Sequence, residues 1–242
     1  MQNLLVPLGT SSHAEGTLAY AVAFAAHFKS TIYVIDAHPI HSSIVSMSNV
    51  SARIEADNLK RIRTLVSSTP HKKNSIKIVS SERDLIGSIK KLDKTVGLDL
   101  IVVAPLNNEI NDEVFLGRIA GSMIKRTQIP VLVAPLEKAF QIPEKLLLAF
   151  KTGEVKAMQT LNPLISIQDQ FKALLKLLLV KVPGFANRTH QLSDALMQRS
   201  EQLLYSENAT VYQGVLEHFQ ANQPDMLIAF KRERGFFEKL WE

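Results

Sequence analysis

The sequence predicts an α/β protein made of two open parallel-sheet sandwiches in tandem, the second lacking its last strand. Three observations predict it. Residues 98–133 read as an apolar strand, a polar loop, a helical run and a second apolar strand, the βαβ unit of a parallel sheet. The same alternation extends back to Asn3. After a proline-marked stretch at 135–143 the pattern starts again.

Residues 3–8 (Asn-Leu-Leu-Val-Pro-Leu) form a short apolar run, a buried strand, and Gly9-Thr10-Ser11-Ser12 supply turn and cap residues. From Ser12 to Lys29, Leu18, Ala21, Val22, Ala25 and Phe28 recur at helical spacing. Thr31-Ile32-Tyr33-Val34-Ile35 is β-branched and aromatic, hence a strand. A longer amphipathic helix is expected over 45–67 and a strand over 76–79. Asp84 is placed to cap a helix carrying Leu85, Ile86, Ile89 and Leu92. A strand over 98–103, a helix over 115–127 and a strand over 131–134 (Val-Leu-Val-Ala) complete the first repeat.

Residues 135–143 read as a linker, giving expected domains at 1–138 and 139–242. Beyond it, 145–150 resembles 3–8, and 173–182 is a long apolar strand like 31–35. Thr210-Val211-Tyr212 is expected as a short strand. Asp225-Met226-Leu227-Ile228-Ala229-Phe230 matches residues 99–104 in its leading acid and apolar run. The spacing is too long for a solenoid repeat and means two versions of one domain. The second is abbreviated, with Phe236, Phe237, Leu240 and Trp241 crowded after its last strand.

Composition excludes several classes. There is no cysteine, so disulfides and thiolate chemistry are out. No apolar run approaches the ~18–20 residues of a membrane span. The first eight residues lack the basic start and apolar core of a signal peptide, and a cytoplasmic location is expected. The net charge is +5. Lys60, Arg61, Arg63, His71, Lys72 and Lys73 form a basic cluster, read as a solvated helix face and its exit loop rather than a nucleic-acid surface. No paired-histidine, calcium-loop, Walker or nucleophile-elbow spacing occurs. Ser12, His13, Asp36 and His38 lie past two strand ends and define a distant hydrolase or metal possibility, with turn and cap roles as the simpler reading.

The LLVPL strand, the TIYVID strand, DLIVVAP and LGRIAGSMIKRTQIPVLV, followed by a second version ending DMLIAFKRERGFFEKL, together resemble the universal stress protein family in its two-domain bacterial type. The resemblance implies adenine-nucleotide-hydrolase-like sandwiches. It also implies a nucleotide site built from G-x2-G-x9-G-[ST] after the fourth strand and an Asp after the first. Glycines there let backbone amides approach phosphates, and the following helix start favours an anion.

Carried onto this chain, that pattern falls on Ala104, Asn107, Gly117 and Arg118, with Gly9 at the Asp position. Only Gly117 is intact. In the second domain Phe230, Glu233 and Lys151 take the corresponding places, and a ring and a carboxylate oppose phosphate there. The candidate pocket is therefore a degenerate one: Gly9, Thr10, Ser11, Asp36, Ala104, Asn107, Gly117 and Arg118. The reading is a non-enzymatic stress-response or regulatory binding module with no cofactor. The alternative is a switch that binds ATP and magnesium in the first domain and hydrolyses ATP slowly. A homodimer is expected through the edge strand Val131-Leu132-Val133-Ala134, since an uncovered edge invites pairing. A regulatory protein or small molecule is the other expected partner, and no membrane is.

Overall fold

The computed structural model describes residues 1–37, 48–71, 74–81, 84–106, 116–151, 158–183 and 193–231, with side chains 48–52 and 55 excepted. The chain divides into two compact units, Met1–Phe140 and Gln141–Glu242.

Unit 1 follows β1 (Asn3–Leu8), α1 (Ala14–Ala26), β2 (Thr31–Asp36), α2 (Ser48–Ser68), β3 (Ser75–Val79), α3 (Leu85–Val96), β4 (Leu100–Val103), α4 (Gly117–Arg126) and β5 (Val131–Val133). Its sheet is parallel, in the order β3-β2-β1-β4-β5. Leu4, Leu5 and Val6 of β1 and Ile32, Val34 and Ile35 of β2 are wholly buried, as continuous apolar runs covered on both faces should be. On one face Leu5, Ile35, Ile101 and Val103 pack with Ile86 and Ile89 of α3 and Ala120 and Met123 of α4. Asp84 caps α3 as its sequence position predicts: its carboxylate accepts from the Ile86 amide at 3.1 Å.

Unit 2 follows β6 (Lys145–Phe150), a 3₁₀ turn (Met158–Leu161), α5 (Asn162–Phe171), β7 (Leu174–Lys181), α6 (Asp194–Arg199), β8 (Gln202–Glu207), α7 (Val211–Asn222) and β9 (Met226–Ala229). Its parallel sheet has four strands in the order β8-β7-β6-β9. The two sheets share one plan, and the two acids matched in the sequence show it. Asp99 Oδ2 accepts from the amides of Gln2 and Asn3, and Asp225 Oδ2 from those of Glu144 and Lys145. Each acid ties the start of the pair made by its own strand with the first strand of the sheet, β1–β4 or β6–β9.

Three expectations need correction. Thr210-Val211-Tyr212 is not a strand: Thr210 is the N-cap of α7, its hydroxyl accepting from the Gln213 amide at 3.2 Å. The strand of that repeat lies earlier, at Gln202–Glu207. The stretch after β5 is not simply a linker. Leu136 is buried, and Phe140 packs edge-to-face on Tyr20 and Phe24 of α1, with ring centroids 5.4 and 5.6 Å away. Finally, α1 is shorter than the 12–29 expected: Ser11 and His13 form its entry turn, and Lys29 has left-handed backbone, φ 55°.

Candidate functional site

In unit 1 the chain moves outward from β1 to β2 and β3, then returns to add β4 and β5 on the other side of β1. This reversal opens a crevice at the carboxyl ends of β1 and β4, the place where open α/β sheets bind ligands. Gly9 follows β1 there, Ala104 and Leu106 follow β4, and α4 begins at Gly117.

The crevice is narrow at its base. Gly9 is buried, and a Cβ at that position would stand 2.8 Å from Ile119 Cδ1 on α4. A side chain as long as aspartate cannot occupy position 9 unless Ile119 moves. Gly117 has φ +64°, left-handed backbone that glycine adopts without strain. A Cβ on Gly117 would meet Leu106 Cβ at 3.1 Å. Leu106 thus lies over the first residue of α4 although its own side chain is largely exposed. Arg118 is exposed, and no side chain caps the first turn of α4 among the described residues.

The other pocket residues have local duties. Ser11 Oγ accepts from the His13 amide at 3.1 Å, and Ser11 O accepts from the Ala14 amide at 3.1 Å, so Ser11 shapes the entry to α1. Thr10 is exposed. Asp36 ends β2 opposite Leu8, and its Oδ1 lies 3.8 Å from Arg61 Nη2 of α2. Arg61 Nε and Nη2 are buried without a hydrogen-bond partner among the described residues. Asn107, His38 and Glu233 lie outside the described residues. The structure therefore brings Gly9, Ala104 and Gly117 around one crevice and leaves Thr10 and Arg118 at its rim.

Ile119, Leu106 and Arg61 were not singled out as pocket residues from the sequence. Ile119 sits two residues after the one intact glycine, but its approach to Gly9 depends on how α4 is rotated against the sheet. Arg61 was visible only as a member of a basic cluster.

A separate shallow concavity of about 350 Å³ lies near the end of α2 and is lined by Ala19, Ala23 and Ala26 of α1 with Thr69 and His71. It is at the amino end of β3, away from the crevice.

Among the described residues no cluster of histidine, aspartate and glutamate could hold a metal ion, and no helix is long and apolar enough to cross a membrane.

The sequence profile of the universal stress protein family matches residues 1–135. No curated protein matches the chain. A universal stress protein from Archaeoglobus fulgidus DSM 4304 has a similar structure, with a TM-score of 0.65 at 12% identity over 94% of this chain and 86% of that one. A functionally unknown protein from Pseudomonas aeruginosa PAO1 gives 0.59 at 13% identity, over 100% of this chain and 88% of the other. At these identities the likeness speaks to fold alone.

Proposed function

The chain belongs to the universal stress protein family, and from that premise we propose a non-enzymatic stress-response or regulatory binding module whose nucleotide crevice is filled by its own side chains. One observation carries this reading: the 2.8 Å approach of Ile119 Cδ1 to the place of a Cβ on Gly9. A nucleoside there would lose the carboxylate that the family's binding pattern puts after the first strand, and would compete with a packed methyl group. Two further features support it. Asp36 is matched with Arg61 at 3.8 Å, and in unit 2 Phe230 and Lys151 replace the small and acidic residues of the pattern.

Calorimetric titration of the full chain with ATP and magnesium tests the reading. No saturable micromolar heat is expected, and no phosphate release above buffer. Saturable binding that Gly117→Glu abolishes would overturn it in favour of the ATP switch. That second reading has one feature in its favour: Gly117 keeps the left-handed turn that opens α4.

The module's proposed assembly is a twofold dimer through β5, in a cytoplasmic setting. Among the described residues β5 pairs only with β4, and its three residues are half-buried, so its outer edge is open to a further strand. Sedimentation should find a dimer that Leu132→Pro weakens; a monomer at all concentrations would remove this part of the proposal.

A further inference from the structure

The positive charge of this chain is concentrated on one layer of unit 1. Right-handed crossovers from β1 to β2 and from β2 to β3 put α1 and α2 on one face of the sheet. The return to β4 and β5 puts α3 and α4 on the other face, side by side over Leu5, Ile101 and Val103. Together α3 and α4 hold six cations, Lys90, Lys91, Lys94, Arg118, Lys125 and Arg126, and one acid, Asp93. Their excess equals the net charge of the whole chain, +5. The opposite layer is close to neutral, with four cations against three acids in α1 and α2.

All six cations of the α3–α4 layer are exposed. Lys90, Lys94, Arg118 and Arg126 make no ion pair among the described residues. The acids of α3 and its flanks are committed to backbone amides. Asp93 Oδ1 accepts from the Leu98 amide at 2.8 Å, Asp84 caps α3, and Asp99 holds the amides of Gln2 and Asn3. The helix dipole favours a cation in the last turn, which accounts for Lys94, Lys125 and Arg126. It does not call for Lys90, and it disfavours Arg118 in the first turn of α4.

Lys90 and Lys94 stand about one turn apart on α3, and Arg118 and Lys125 about two turns apart on α4. Axes of packed helices lie roughly 8–10 Å apart, so the two rows span a distance like the ~12 Å major groove of a duplex, which phosphates wall on both sides. Neither helix contains an aromatic residue, and neither exposes a large apolar one. The bases of a single strand would find no ring to stack on. A membrane would find no apolar face to bury, and an acidic protein no apolar centre to pack against. We propose that the α3–α4 layer of unit 1 is a sequence-independent docking surface for duplex DNA, held through its phosphates. The inference is independent of how the crevice of unit 1 is read.

Fluorescence anisotropy of the full chain with a short labelled duplex of mixed sequence tests it. Binding should saturate at ~50 mM salt and weaken as salt rises, with a log–log slope of about −4 for four or five neutralised phosphates. Lys90→Gln with Lys94→Gln should weaken binding about tenfold and make the slope shallower by about 2. Lys60→Gln with Arg63→Gln, on the opposite layer, should shift affinity by less than about twofold. All four positions are exposed, and far-UV circular dichroism checks that the variants stay folded. Absence of salt-sensitive binding would overturn the proposal. So would a loss no greater from the α3 pair than from the α2 pair, since the attraction would then be that of the overall charge. Tighter binding to a single strand of equal length, or to vesicles of anionic lipid, would assign the layer to another partner and overturn it as well.

Discussion

β4 and β9 each pair with the first strand of their sheet, but β4 lies between β1 and β5 while β9 is an edge; all four residues of β4 are buried, and β9 alternates half-buried and exposed. Their backbones are anchored alike, Asp99 and Asp225 each accepting two amides from the first strand of the sheet. The helices around them differ. β2 is followed by the 21-residue α2, and β7 by the six-residue α6. Tyr205 of β8 is accordingly 57% exposed. Strand order and register thus survive on backbone pairing and one acid per sheet, whereas burial depends on the outer strand and the helices laid around each strand. Among the described residues unit 2 keeps the frame with less covering.

The largest test of this contrast compares equivalent side chains. Ile101→Ala should cost ~2–5 kcal/mol, because it empties a packed site between β4 and α4. Leu227→Ala should cost about 1 kcal/mol or less, as for a side chain already half in water. Urea denaturation with amide-resolved hydrogen exchange reads the two units separately. Equal costs would break the contrast.

A second test restores the missing acid. Gly9→Asp should destabilise unit 1 by ~1–3 kcal/mol through overpacking against Ile119. The atom in the way is the end of a side chain, so Ile119→Ala should recover part of the loss, a coupling of ~0.5–3 kcal/mol in a double-mutant cycle. Gly214→Ala is the counterpart in unit 2. Its Cβ would stand 2.7 Å from Val180 Cγ1 and 2.8 Å from Ser206 Oγ, so no single neighbour can relieve it. If the Gly9 and Ile119 changes simply add, Ile119 does not fill the crevice, and the proposed function loses its main support.

The anchoring acids give a smaller difference. The Asn3 amide bound by Asp99 is partly buried, while both amides bound by Asp225 are exposed to water. Asp99→Ala should therefore cost ~1–2 kcal/mol and Asp225→Ala less than ~1 kcal/mol, since water replaces the lost acceptor more readily in unit 2. Thermal melts of the two variants check the order. A larger loss for Asp225→Ala would mean that unit 2 leans on its anchor because its helices give it less.

Much of this was legible in the residues. Apolar runs gave eight of the nine described strands near their observed bounds, and Asp84 gave its cap. The matched acids gave the repeat. The misreading at Thr210-Val211-Tyr212 came from β-branched and aromatic residues, which favour strands. Thr210 and Gln213 in fact stand at capping-box spacing, and that signal would have placed a helix start there. The β8 strand is polar and alternates because it is an edge, which hid it. At the site, the residue types told which groups were absent. What lies near those positions was not legible, because the approach of Ile119 to Gly9 is set by how α4 packs, and Arg61 reaches Asp36 from a helix face that sequence alone marks only as basic.

The smallest lever is pH. Burial raises the pKa of the Tyr20 phenol above its usual value near 10. The folded state then holds this proton more tightly than the unfolded state. The contribution is fully present below about pH 10 and is lost as pH climbs from there through the folded pKa. Tyr20→Phe keeps the ring that meets Phe140 at 5.4 Å and removes the ionisable oxygen. Urea midpoints followed by circular dichroism from neutral pH to pH ~11 should fall less steeply in the variant than in the parent above pH ~10. The difference should be confined to unit 1, where Tyr20 is packed. Parallel alkaline curves would mean that the phenol is free to ionise in the folded chain, and that the seam between α1 and Phe140 opens before the sheet does.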